Sequence, residues 1–312
     1  MFTWRLFLLA LTSLAMSTQT GELIAFGQEQ LALEVSKHEN NLVFNKVMDS
    51  TSARGFLAPT ISDSLTADEE LKALEAIPGR RLPMDELTRN AVSAPFVIQV
   101  GDLQPYGEGT KSRSIDLWFF VHGDWDSLKQ MAEEQGAEFG NLLQEQAAAK
   151  AEEHQLESRA IGETELTERG IEIAPHPDVR EFYRNGEISL LDRVLLQITS
   201  RLTVTQSQRS ILIASELDNR FTGDDEFPNT WRTISSDRSK TMGPVAPYSG
   251  WQQYVKATNL ESLPGIILVE AHFWMSQPND WFNGRDLLKS KIRIGSQTMV
   301  RKFRAELKRA SR

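Results

Sequence analysis

The feature that most constrains the fold is a succession of apolar, period-two runs separated by turn signals in the second half of the chain. Residues 188–204 alternate as one long strand, Gln206, Ser207 and Gln208 reverse the chain, and 210–214 return. Runs at 251–258 and 266–275 flank Leu263, Pro264 and Gly265. Strands this close in sequence pair antiparallel, because parallel neighbours need a crossover of about a dozen residues or more. Two earlier runs, 96–100 and 115–122, bracket a Pro/Gly-rich loop at 105–109 and add strands. Asn185-Gly186 marks a turn, and loop chemistry dominates 221–247.

Helices are signalled at both ends of this sheet. Thr66 and Glu69 form a capping box ahead of Leu71, Leu74 and Ile77, and Pro78-Gly79 ends that helix. Pro83 opens a second helix to about Val92. Asp124 is a good N-cap for a helix from Trp125, with Leu128, Met131 and Ala132 as its apolar stripe. Gly136 and Gly140 interrupt it, and an Ala/Glu-rich helix runs on to about Glu157. Met299, Val300, Phe303 and Leu307 recur at helical spacing near the C-terminus. The expectation is an α+β fold in which an antiparallel sheet packs against a long C-terminal helix. Residues 1–17 read as a signal peptide, 18–92 as a partly disordered helical segment, and 93–312 as the α+β domain.

Arg5 followed by the apolar run 6–16, with Ala15 and Ser17 in small-x-small form, fits a cleaved export signal. Gly27 closes a second such site, and retention as an anchor is the alternative, since the run nears spanning length when 17–21 is included. No cysteine is present, so an exported chain of this size relies on core packing rather than disulfides. None of its eleven asparagines lies in a glycosylation frame. Together these point to a periplasmic or secreted protein of a bacterial envelope.

The net charge of −9 is unevenly spread. Residues 285–312 carry +8, while residues 133–172 carry eleven glutamates and a net of −8. The basic tail is thus expected to face its own acidic segment, and its helix also suits an anionic membrane surface. Nucleic acid is not expected as a partner, because the chain is acidic overall and has no nucleic-acid motif.

The order strand, helix, helix, several antiparallel strands, long C-terminal helix resembles the helix-grip folds of START-type lipid-binding domains over about residues 110–312. The resemblance rests on element order; no family motif matches and no residue role is carried over. It implies a cavity between the sheet and the C-terminal helix.

Candidate chemistry is sparse. There is no nucleophile elbow, phosphate loop or His-Glu-x-x-His pattern. His122 and Asp124, at a strand end and the turn after it, are candidate metal ligands; the alternative is that Asp124 caps a helix and His122 hydrogen-bonds at the sheet edge. Glu270 and His272 share one strand face with Trp274, as an acid–imidazole pair or as a polar row. Strand 115–122 has the same character, with Asp116, Trp118, Phe120 and His122 on one face. Trp118, Phe120, His122, Glu270, His272 and Trp274 are therefore the expected lining of an amphiphilic ligand cavity; a second core layer is the alternative. The sequence favours a soluble binding protein for an apolar or amphiphilic molecule, such as a lipid, without a cofactor. A metal- or acid/base-dependent hydrolase and an envelope partner-binding protein are the competing classes.

Overall fold

The alternation in 110–122 and 266–278 becomes the spine of the sheet. The structure, a computed structural model, describes residues 38–49, 56–130, 158–173, 176–191, 193–235, 241–284 and 286–310. Strands β1 (Val97–Val100), β2 (Gln104–Gly107) and β3 (Thr110–His122) come first. Then follow β4 (Ser158–Ile161), β5 (Val179–Leu190), β6 (Val194–Gln206), β7 (Ser210–Leu217), β8 (Thr230–Thr233) and β9 (Ala246–Pro247). β10 (Trp251–Asn259) and β11 (Ile266–Pro278) complete the set. The main path is β1-β3-β11-β10-β7-β6-β5-β4, with β2 paired to β3, and β8 to β6 and β9. Every pairing is antiparallel. β3 and β11, distant in sequence, pair over all 13 residues of each. The chain is an α+β protein with an open sheet ending at β1 and β4.

One face of the sheet is a continuous apolar core. Ile115, Leu117, Phe119 and Val121 of β3 meet Ile267, Val269, Ala271 and Phe273 of β11. The C-terminal helix packs on this face. It spans Leu287–Ala310 and buries Met299, Val300 and Leu307, as its spacing requires. Phe303, also expected in that stripe, is half-buried and meets Phe119 edge-on at 5.6 Å. The end of β3 comes so near this helix that a Cβ at Gly123 would lie 2.8 Å from Leu307. At the other end Arg113 of β3 donates to Asp286 at 2.5 Å, fixing where the helix begins. Among the described residues no helix is long and apolar enough to cross a membrane.

The opposite face is covered by the N-terminal part of the chain. Helices α1 (Leu42–Asp49), α2 (Ala67–Glu75) and α3 (Met84–Leu87) lie there, α4 (Glu163–Glu168) follows β4, and the C-terminal helix is α5. Sequence reading sets 18–92 apart from the domain. Of that segment, 38–49 and 56–92 are described, and they belong to the core. Val43, Val47 and Phe56 pack with Leu212, Ala214, Tyr254 and Trp274. Ile61, Leu74, Ile77 and Leu87 pack with Trp118, Phe120 and Leu268.

Four local expectations are corrected. The run 188–204 is a hairpin, turning at Leu191 with φ 59° and closed by Arg193 N–H to Leu190 O at 3.0 Å. Asn185-Gly186 sits inside β5, not in a turn, because β6 and β4 pair with it on both sides. The helix expected over 83–92 is the single turn of α3, and 221–247 contains the short strands β8 and β9. The Thr66–Glu69 capping box forms, with Thr66 N–H donating to Glu69 Oε2 at 2.9 Å. Residues 125–130 are helical as expected. Residues 1–37, which include the expected signal, and 131–157, with Gly136, Gly140 and most of the glutamate-rich stretch, lie outside the described residues.

Candidate functional site

Strand register decides which of the candidate residues meet. In β3 and β11, Glu270 stands opposite Trp118 and His272 opposite Asp116. β10 sets Tyr254 beside His272 and Lys256 beside Glu270. Alternation points all six side chains to the face under the N-terminal segment. His272 is completely buried there, with Nδ1 2.8 Å from Asp116 Oδ1 and Nε2 3.5 Å from Glu270 Oε2. Tyr254 stacks on its ring at 4.6 Å, and Trp118 meets it edge-on at 5.3 Å. Burial works to discharge the imidazole, yet Asp116 and Glu270 outweigh it and raise its pKa. Burial likewise opposes the Glu270 carboxylate, but His272, the Thr60 N–H and Lys256 hold its pKa below the usual range. The arrangement is a sealed trio, the His272 imidazole between the carboxyl groups of Asp116 and Glu270.

The trio continues into a polar seam that fastens residues 57–63 across the sheet. Thr60 N–H donates to Glu270 Oε2 at 2.7 Å, and Trp118 Nε1 donates to Thr60 Oγ1 at 2.8 Å. Lys256 Nζ donates to Ile61 O and Asp63 Oδ1, both at 2.7 Å. The Asp63 carboxylate also accepts from Ser207 and from Ser210, the latter at 2.6 Å. Burial disfavours its charge, but Lys256 and the two serines bring its pKa down to about 2. His38 closes the seam between Thr205 and Ser210, at 2.8 and 2.6 Å. Its pKa falls to about 4 through burial and the nearby Lys256 cation.

The six expected cavity residues are thereby divided. Trp118, Glu270 and His272 converge at the trio. Phe120 packs under α2 and α3 with Ile61, Leu74 and Leu87. Trp274 joins the α1 cluster, with Tyr106 edge-on at 4.7 Å. His122 stands at the strand end, donating from Nε2 to Thr88 O at 2.5 Å. Asp124 accepts from Ser127 N–H at 2.8 Å and so caps the helical segment after it. His122 and Asp124 thus have the structural partners weighed as the alternative to metal ligation. Among the described residues no group of three or more His, Asp or Glu is placed to hold a metal ion. Lys256, Asp63 and His38 escaped sequence reading. Each is an isolated polar residue whose partners lie far away along the chain.

Open space lies elsewhere. A cleft of about 480 Å³ between α1 and strands β5–β7 is walled by opposed charges. Arg201 forms a fork on Glu181 at 2.9 and 2.8 Å, and Arg220 pairs with Asp218 at 2.6 Å. Lys46 reaches Glu216 at 2.6 Å. Tyr183 donates to Glu181 at 2.6 Å, and burial followed by that carboxylate pushes its hydroxyl up to about 12. A second cavity of about 310 Å³ lies on the flank of α5, against the chain leading into β1. Phe96, Ile294 and Val300 give it apolar walls, and Arg293, Arg301 and Arg304 line it as well. Neither cavity reaches the trio. No protein-family model matches the chain, and no curated protein matches it.

Proposed function

We propose that the protein is an exported binding protein of helix-grip type that holds an apolar or amphiphilic small molecule. The groove on the flank of α5 carries this reading. Apolar enclosure with a few fixed polar groups is the usual make-up of a small-molecule site, and 310 Å³ is at the low end of such cavities. The helix-grip part is supported by chain order. β3, a helical segment, the run β4 to β7, then β10, β11 and α5 follow one another, and β11 returns beside β3. On this reading Trp118, Phe120, His122, Glu270, His272 and Trp274 form a second core layer, and the ligand lies beside α5. A hydrolase using Glu270 and His272 would have to lift residues 57–63 off the sheet before any substrate reached them. Export rests on the Arg5 and 6–16 pattern.

Native mass spectrometry with metal analysis tests the function. The expected result is one co-purifying amphiphile per chain. A stoichiometric metal supports the hydrolase, and a chain that carries neither supports an envelope partner-binding protein. N-terminal sequencing of the native protein is expected to begin at Thr18; an intact Met1 in the membrane fraction overturns cleavage and supports retention as an anchor.

A further inference from the structure

We infer that the groove beside α5 selects anionic amphiphiles, taking a carboxylate or phosphate head on Arg293 and Arg301 above the buried Arg304. This deepens the proposed function and rests on it. Residues 293, 294, 297, 300, 301 and 304 fall on one side of α5 and line the groove against 93–96. Three of the six are arginines. Among the described residues none of the three has a carboxylate within ion-pair distance, although the chain as a whole carries nine more acidic than basic groups. The acidic groups paired at α5 are engaged elsewhere, Asp286 with Arg113, Glu306 with Lys302 and Asp102 with Lys289.

Arg304 differs from its two neighbours. The residue is buried, with 6% of its surface exposed. It donates to Phe120 O at 2.9 Å, Ala94 O at 2.5 Å and Pro95 O at 3.1 Å. These bonds hold the wall of the groove in place and leave a fixed positive charge behind it. Carbonyl partners satisfy the donors without neutralising the cation. Burial lowers its pKa to about 10, which still leaves it charged at neutral pH. Arg293 and Arg301 are exposed at the rim and free to close on a head group. Ile294 is 61% exposed beside them, an apolar contact next to two cations. Two exposed guanidiniums spaced along an apolar slot, about 12 Å apart by the helix rise, suit a carboxylate or phosphate on a short hydrocarbon body.

Calorimetric titration of the full chain with octanoate, octyl phosphate and octanol separates head from tail. The expected result is 1:1 binding of both anions, with octanol at least about tenfold weaker. Arg293→Gln and Arg301→Gln should each weaken the anions by roughly five- to tenfold and leave octanol unchanged. Thermal melts of both variants are expected to match wild type, since neither side chain holds the fold. If octanol binds as tightly as octanoate and the variants alter neither, head-group selection is wrong while the amphiphile reading stands. If none of the three binds, the amphiphile reading fails with it. Binding to phosphatidylglycerol vesicles without binding to octanoate or octyl phosphate makes this surface a membrane contact and overturns the inference.

Discussion

The two faces of the sheet are covered by different chemistry. On one, α5 lies against Phe119, Val121 and Val269 through Met299, Val300 and Leu307, an apolar stripe on an apolar floor. On the other, residues 57–63 are fastened by Thr60, Ile61 and Asp63 to Glu270, Trp118, Lys256 and Ser210. Burial of each large apolar side chain contributes roughly 1.5–3 kcal/mol and tolerates small shifts. Buried ion pairs roughly break even against well-packed apolar replacements, but removing one partner is costly. The α5 face therefore supplies net stability. The seam specifies where the N-terminal segment lies, and makes its attachment depend on pH.

The largest expected effect sharpens this contrast. Phe119 is completely buried, and Phe119→Ala should cost about 3–5 kcal/mol in denaturant unfolding. That cost should be the same at pH 5 and pH 8, because the charged group over its ring, the Arg304 guanidinium at 5.9 Å, keeps its charge throughout that range. His272→Leu should cost a similar amount, about 3–5 kcal/mol near pH 7, by leaving Asp116 and Glu270 buried without their imidazole partner. Its deficit should shrink as acid protonates the stranded carboxylates. Equal pH responses from the two variants would erase the distinction between the faces.

His38 tests the seam alone. The folded pKa of about 4 lies below the unfolded 6.5, so the unfolded chain takes up the proton first. Stability is full above pH 6.5, falls as pH drops toward 4 and is flat below, a loss of up to about 3 kcal/mol. His38→Asn should abolish that part of the acid dependence. The contribution of Asp63 falls in a lower window, lost as pH drops from 3.8 to about 2. Comparing acid titrations of the variant and wild type separates the two. An unchanged slope between pH 6.5 and 4 would show that His38 is not held neutral by the seam.

The same contrast explains what could be read from the sequence. β3 and β11 were legible because one side of each is uniformly apolar, and alternation reveals that side directly. The shared face of Asp116, Trp118, Glu270 and His272 was legible for the same reason. Its covering was not. Thr60, Asp63 and His38 bind by a few directed hydrogen bonds each, and such contacts leave no period in a sequence. The hairpin within 188–204 was hidden because only Asp192 and Arg193 interrupt the apolar run at the reversal, with no glycine, asparagine or proline beside them. Leu191 carries the positive φ that a glycine or asparagine would have announced. Asn185-Gly186 did announce a turn, but Asn185 donates instead to Thr199 Oγ1 at 2.7 Å across the strand pair.

The smallest expected effects lie on the solvent side of α5. Arg301 and Lys308 are exposed, and no ion pair with a described carboxylate is found for either. An exposed charge contributes about 0–1 kcal/mol even when paired. Arg301→Ala and Lys308→Ala should therefore shift the melting temperature by little more than its error. Leu307→Ala, one residue from Lys308 and fully buried against Gly123, should cost about 2–5 kcal/mol. Such a step between adjacent residues follows if buried side chains, and not surface charge, hold α5 to the sheet. A destabilisation by Lys308→Ala comparable to that of Leu307→Ala would mean that charge, most simply the glutamate-rich stretch of residues 133–172, also holds the helix. High salt should then reproduce the effect of the Lys308 variant in the wild-type chain, and without such an effect α5 is held by its buried side chains.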